Sequence, residues 1–371
     1  MSHVLFISHA RGVHGAEAVM VQAVKACAAK GARVTITVPS IVPEEGLEKA
    51  LQGIWNVQIL PLPYRAGGGD LLRTRLVRLY NLRALRQLER YVEREHVTTI
   101  YSNTTITILG AELAKRTGVR HIWHWHEPVD ERFGWHFTLK EYFCSLVQAT
   151  DKIICISQQQ KEEWSKELDM ELTKAQVVYN PIKPIRFTPE NRSTFRHGVC
   201  IGFIGHFEER KNLPLLMQAF VNIHDAMPEI RLLLCGARNE YDRMYVEQMT
   251  DLREPVVTIM EQTPDVAKFY NQVDILALPS WRETMPLVVL EAMQAGVCVL
   301  QTNQSGMTEL LEAGTETLFF SPDRLEELEQ LLMLCMDADY RRSIAKAGQE
   351  KALQLVNNQS FDQQIQKLLC A

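Results

Sequence analysis

Short apolar runs, each followed by a loop and then a longer amphipathic stretch, recur from one end of this chain to the other. No other feature narrows the fold as far. Strands hydrophobic on both faces and alternating with helices build parallel α/β sheets. In the first half the strands are expected at residues 4–8, 34–38, 57–60, 99–102, 121–125 and 152–156. Helices are expected from about 16 to 31, about 71 to 95 and 105 to 118. The pattern breaks at residues 177–198, a stretch with three prolines and no helical or strand period, which reads as a linker. It restarts with strands at 199–204, 230–235, 256–260, 275–278, 298–302 and 317–320, and closes with helices from about 324. A length of 371 residues exceeds what one core accommodates, so two doubly wound lobes are expected. Their bounds are read as 1–183 and 184–345, with a helical tail, 346–371, packing back on the first lobe.

Composition excludes several classes. With 46% hydrophobic and 23% charged residues and a formal net charge of −5, the chain is neither disordered nor a nucleic-acid-coating protein. The opening MSHVLFISHA has no basic segment before its apolar run and reads into a strand, so a cytoplasmic location is expected. Eight cysteines are scattered singly without metal-ligand spacing. Cys155, Cys235 and Cys298 sit inside apolar runs, as buried free thiols do. A zinc reading of His121, His124 and His126 lacks a carboxylate or thiolate to complete the set. Asp337, Ala338 and Asp339 spell DxD, but between two helices, where capping is the better account.

Open parallel sheets bind ligands beyond the carboxyl ends of their strands, so the polar loops there carry the chemistry. The most informative is residues 280–311, SWRETMPLVVLEAMQAGVCVLQTNQSGMTELL. A helix is expected to open just after Glu283 and Thr284 and to stop at Gly296, offering its free N–H groups to a diphosphate. Glu283 and Glu291 lie about two helical turns apart, so one ligand could span both. In GFIGHFEERKNLPLL, Arg210 and Lys211 at a helix start can neutralise a leaving diphosphate without a metal. The loop SHARGVHGAEAVM lacks both GxGxxG and the P-loop lysine. HIWHWHEP places His124 and His126 on one face of a strand.

The 280–311 stretch, with PLVVLEAMQAGV around its second glutamate and SGMTEL downstream, resembles the signature of the family 4 retaining glycosyltransferases of GT-B fold. The resemblance covers nearly the whole chain and is closest over residues 199–315. It implies two Rossmann-like domains facing across a cleft, the first for the acceptor and the second for a nucleotide sugar. It further implies that Glu283 contacts the donor sugar and that Glu291 takes the ribose hydroxyls. Gly205 and Lys211 match the family's glycine and lysine; His206 stands where an arginine is usual, with Arg210 nearby to compensate. Thr284 and Met285 stand in place of a glycine and a phenylalanine, followed by Pro286 and Leu287 in the same donor loop. Gly15 and Glu17 match a turn that approaches the donor phosphates, although His14 replaces a common glycine. His126 matches a histidine that contacts the donor sugar. The implied catalytic set is His126, Lys211 and Glu283. Base choice falls to the loops after Cys235 and Met260, which include Glu261 and Gln262.

The resemblance implies no metal or other cofactor, a nucleotide-sugar donor, and a saccharide or lipid-linked acceptor. Residues 71–95 carry an apolar stripe of Leu72, Leu76, Leu79, Leu82, Leu85 and Val92 beside many arginines. This pattern fits either a core helix with a solvated basic face or one that docks on an anionic membrane. Two other functions fit the same architecture: a nucleotide-sugar 2-epimerase, disfavoured by ETMPLVVLEAMQAG, and a non-catalytic scaffold, for which the irregular His206 and Thr284 speak.

Overall fold

The computed structural model of the protein describes residues 2–13, 15–40, 46–67, 71–129, 140–185, 187, 198–251, 255–263 and 265–370, and of residues 71–74 the backbone alone. His14 and half of the expected linker therefore lie outside the described residues. By internal packing the chain divides into two units, Met1–Pro181 with Ser360–Ala371, and Ile182–Gln359.

The first unit holds strands β1 (His3–Ile7), β2 (Arg33–Pro39), β3 (Val57–Leu62), β4 (Thr99–Asn103), β5 (Arg120–Trp125), β6 (Lys152–Cys155) and β7 (Ala175–Val177). They form one parallel sheet in the order β3-β2-β1-β4-β5-β6-β7. Its helices are α1 (Gly15–Ala29), α2 (Gly46–Ala50), α3 (Leu71–Arg94), α4 (Leu109–Thr117), α5 (Lys140–Ala149) and α6 (Gln158–Leu168). Every residue of β1 and β4 is buried. The period of two divides them between two cores: Val4 and Phe6 pack with α1, Leu5 and Ile7 with α3 and α4. Trp123, Trp125, Trp164 and Phe143 interlock in a third cluster. Truncating one of these buried tryptophans to alanine would cost about 3–5 kcal/mol.

Two expectations need correction here. β7 is not among the expected strands, and its last residue, Val177, falls in the expected linker; a half-exposed edge strand of Ala-Gln-Val has too few apolar residues to register as a run. The leucine stripe of α3 does not face the core as one band. Ala84, Leu85, Leu88, Tyr91 and Val92 are buried, whereas Leu76 and Leu79 are 56% and 63% exposed; the side chain of Leu72 is outside the described residues.

The second unit repeats the plan with β8 (Cys200–Ile204), β9 (Arg231–Ala237), β10 (Val257–Glu261), β11 (Ile275–Leu278), β12 (Cys298–Thr302) and β13 (Leu318–Phe320), all parallel, in the order β10-β9-β8-β11-β12-β13. Its helices are α7 (Leu213–His224), α8 (Glu240–Glu247), α9 (Ala267–Tyr270), α10 (Leu287–Gln294), α11 (Leu325–Leu334) and α12 (Ala338–Asn357). Gly348 lets α12 lie close: a Cβ there would stand 2.7 Å from the Glu316 carbonyl oxygen and 3.0 Å from Met293. α12 packs on α10 and β12, so the return to the first unit begins at Ser360 and not at 346. The last helix, α13 (Phe361–Leu369), makes that return. Phe361, Ile365 and Leu369, four residues apart on one face, enter the core around α1. Among the described residues no helix is long and apolar enough to cross a membrane.

Candidate active site

In each sheet the strand order reverses once beside the first strand, between β1 and β4 in the first unit and between β8 and β11 in the second. Helices leaving neighbouring strands in opposite directions open a crevice at that point, where α/β sheets bind ligands.

At the second unit's reversal, β8 runs into Gly205 and β9 passes through Gly236, both at positive φ (151° and 143°). A Cβ on Gly236 would stand 1.9 Å from the Gly205 carbonyl oxygen, so these strand ends touch backbone to backbone. Glu209–Lys211 then form a 3₁₀ turn, stopped by Asn212 in the left-handed region (φ 51°), whose side chain donates to the Pro322 carbonyl at 2.8 Å. Arg210 and Lys211 therefore sit in this tight turn, not at the start of α7 as expected. The Trp281 N–H donates to the Arg210 carbonyl at 3.0 Å, tying the turn to the loop after β11.

That loop carries Glu283. Its backbone bridges to Ser305: the Glu283 N–H donates to the Gln304 carbonyl at 2.9 Å, and the Gly306 N–H donates to the Glu283 carbonyl at 3.3 Å. The carboxylate is buried and meets Lys211 Nζ at 2.6 Å and Arg210 Nη1 at 3.5 Å. Arg210 Nη2 also meets Glu208 at 2.8 Å. Burial alone would raise the Glu283 pKa; Lys211 and Arg210 outweigh it and hold the carboxyl below its usual range. The two cations are thus compensated by two glutamates, which the sequence pattern did not reveal.

α10 starts only at Leu287, with Pro286 as N-cap in extended conformation. Glu283 lies four residues before the helix, in a bridge to Ser305, so its spacing of two helical turns from Glu291 is not a helical spacing. A proline following the extended segment defers the helix, because it restricts the residue before it to extended backbone. Thr284 and Leu287 are half-buried and Met285 is buried. Glu291, on α10, accepts from the Tyr270 hydroxyl at 3.1 Å, and burial raises its pKa. Tyr270 was not singled out from sequence: within an apolar stretch it reads as core, and only packing shows its hydroxyl against a carboxylate. His206 is half-buried in the turn after Gly205. Cys235 is buried within β9, its Sγ 3.5 Å from the Glu261 carbonyl, and burial pushes its thiol pKa up. The Glu261 side chain is exposed, 3.6 Å from Arg243.

In the first unit, Gly15 opens α1 with no atom within 4 Å of a Cβ placed there. Glu17 is buried two residues on, its Oε1 3.0 Å from His9 Nδ1. His126 follows β5; its Nε2 lies 3.1 Å from Asn103 Oδ1 and its ring 4.0 Å from that of His124. Burial lowers its pKa to about 3, so it is neutral at physiological pH. Glu127, the polar residue next to it at the same strand end, is buried and accepts from the Thr105 N–H and hydroxyl, each at 2.9 Å. His121 is fully committed to structure, with Nε2 2.8 Å from Ser102 Oγ and Nδ1 2.9 Å from Thr150 Oγ1. Among the described residues no group of three His, Cys, Asp or Glu could hold a metal ion. Asp337 caps α12, accepting from the N–H groups of Asp339 and Tyr340.

Residues 198–337 match the family described as Glycosyl transferases group 1, and residues 13–186 match Glycosyltransferase Family 4. A D-inositol 3-phosphate glycosyltransferase of Corynebacterium kroppenstedtii is 25% identical over 227 residues, which cover 56% of this chain and 50% of that protein. The match thus spans about half the length of that relative. The alpha-maltose-1-phosphate synthase of Mycolicibacterium smegmatis is 23% identical over 294 residues, 70% of this chain and 75% of the relative. The crystal structure of Anabaena Alr3699/HepE in complex with UDP and glucose is similar with a TM-score of 0.80 at 19% identity, covering 99% of both chains. The fold is GT-B, built from two Rossmann-like domains.

Proposed function

From a chain that belongs to the group 1, family 4 glycosyltransferases, we propose a retaining, metal-independent transfer of a hexose-type sugar. The donor is a nucleotide sugar. The acceptor is a saccharide or a lipid-linked saccharide, in cell-surface polysaccharide or glycoconjugate synthesis. The observation that carries the reading is the Arg210–Lys211–Glu283 cluster at the strand reversal of the second unit. The UDP and glucose held by the similar HepE structure support a nucleotide-sugar donor.

Breaking a sugar–diphosphate bond builds negative charge on the departing phosphate, so the chemistry needs anion stabilisers more than a strong base. Lys211 and Arg210 supply them. In the free protein their charges are balanced by Glu283 and Glu208. An arriving diphosphate competes for Lys211, and the released Glu283 carboxylate accepts from hydroxyls of the donor sugar. Glu291, steadied by Tyr270, takes the ribose hydroxyls. His126, kept neutral by burial, offers the donor sugar a hydrogen bond without a charge. Access to a lipid-linked acceptor is supported by α3, where Leu76, Leu79 and Tyr80 are exposed beside exposed Arg75, Arg83 and Arg86. On that reading the protein is cytoplasmic and peripheral on an anionic leaflet, and it sediments with anionic but not neutral liposomes.

A thermal-shift series with UDP, GDP and dTDP, each with EDTA or with Mg²⁺, tests the reading. One nucleotide should stabilise the chain by about 2.7 kcal/mol at a hundredfold excess over its dissociation constant, equally in EDTA. No shift with any of the three would overturn the donor site, and a shift only with Mg²⁺ would overturn metal independence.

A further inference from the structure

The chain enters the second unit at Ile182 and leaves it at Gln359, and hydrogen bonds tie these two crossings together. The Ile182 N–H donates to Gln359 Oε1 at 2.9 Å, and Gln359 Nε2 donates back to the Ile182 carbonyl at 3.1 Å. Three residues on, a second glutamine repeats the arrangement. Gln294 Oε1 accepts from the Ile185 N–H at 3.0 Å, and Gln294 Nε2 donates to the Lys183 carbonyl at 3.1 Å. A primary amide carries a donor and an acceptor side by side, so each glutamine satisfies two backbone groups of a segment that lies outside the sheets. Pro184 restricts Lys183 to extended backbone, which keeps the two groups that Gln294 meets in place.

Gln294 differs from Gln359 in where it stands. It is the last residue of α10, 5% exposed and three positions after Glu291, and residues three apart share a face of a helix. The Lys183–Ile185 segment therefore runs along the face of α10 that carries Glu291. Gln349 of α12 holds the same helix end, its Nε2 donating at 2.9 Å to the Gln294 carbonyl, one of the acceptors that a helix terminus leaves open. The segment also reaches Tyr270, whose hydroxyl lies 3.1 Å from both Glu291 Oε2 and the Val288 carbonyl. Phe187, two residues past Ile185, meets the Tyr270 ring edge-on, with centroids 6.2 Å apart and planes at 79°. Lys183 bears on the same carboxylate: its charge opposes the rise that burial imposes on the Glu291 pKa.

We infer that Gln294 is a positioning residue of the nucleotide site: by pinning Lys183–Ile185 beside Glu291 and Tyr270, it couples occupancy of Glu291 by ribose hydroxyls to the order of the segment through which the chain enters the second unit. The inference rests on the glycosyltransferase reading, in which Glu291 takes the ribose. Linkage makes the coupling reciprocal. A nucleotide that binds the unpinned chain about tenfold more weakly makes unpinning about tenfold rarer once it is bound.

Gln294→Met keeps the length of the side chain and removes both hydrogen bonds to the segment. Gln359→Met does the same at Ile182 and is the control for support of the linker alone. The probe is whichever of UDP, GDP and dTDP the wild-type chain binds. By isothermal titration its dissociation constant should rise about tenfold in Gln294→Met and stay within about twofold of wild type in Gln359→Met. With the matching nucleotide sugar, KM should rise by the same factor in Gln294→Met while kcat stays within about twofold. Wild-type affinity in Gln294→Met overturns the inference, and so does an equal loss in both variants, which would reduce the two glutamines to linker support. Hydrogen exchange on the wild-type chain gives a reading that needs no substitution. Exchange of the Ile185 N–H should slow about tenfold when the nucleotide is bound, and an unchanged rate overturns the inference. A wild-type chain that binds none of the three nucleotides overturns the donor reading itself, and this inference with it.

Discussion

Replacing Lys211 with Ala isolates the pair that anchors the donor cluster. Lys211 Nζ and Glu283 Oε1 are 2.6 Å apart, and Arg210 stands 3.5 Å from the other carboxylate oxygen. At an effective dielectric of ~20 these distances correspond to about 6 and about 5 kcal/mol of attraction, before the cost of removing the charges from water. Removing one partner of a buried pair typically costs about 3–5 kcal/mol, because the remaining charge stays buried. Arg210 remains to hold Glu283, so the lower end, about 3 kcal/mol, is expected. Urea unfolding of Lys211→Ala, Glu283→Gln and the double variant measures it as a cycle, with a coupling of about 2 kcal/mol or more. The pH dependence gives a second reading. The Glu283 pKa is held below its ordinary 4.5, so its stabilisation is present above pH 4.5 and fades as pH falls through the folded value. In Lys211→Ala that decline should begin at higher pH. Turnover of a nucleotide sugar should drop about 10²–10³-fold, the cost of losing one stabiliser of the departing charge. Substitutions that add within about 0.5 kcal/mol, as independent surface groups do, would refute the description of Glu283 as a buried, cation-dependent carboxylate.

Tyr270→Phe should weaken nucleoside diphosphate binding about tenfold and destabilise the chain by about 1 kcal/mol, because Glu291 loses a buried hydrogen bond; isothermal titration with UDP checks the first and urea unfolding the second. Burial lowers the His121 pKa to about 3, so the folded chain binds fewer protons than the unfolded one between pH 6.5 and about 3. Stability should therefore be full above pH 6.5 and fall with decreasing pH at about 1.4 kcal/mol per unit for this residue alone. A His121→Gln variant, compared by acid unfolding curves, should show a shallower slope over that interval.

The alternation of apolar runs and amphipathic stretches determined the class of fold, because a strand buried on both faces has no other stable partner arrangement. It located twelve of the strands now seen, and it placed Gly205, Arg210, Lys211 and Glu283 on strand-end loops. Periodicity reports which face of an element is buried, not which side chains meet across elements. Only tertiary structure therefore set the ion pair between Lys211 and Glu283, far apart in sequence, and the hydroxyl of Tyr270 on Glu291. It likewise decided that α10 begins at Leu287, where a proline and a bridge to Ser305 outweigh local helix signals.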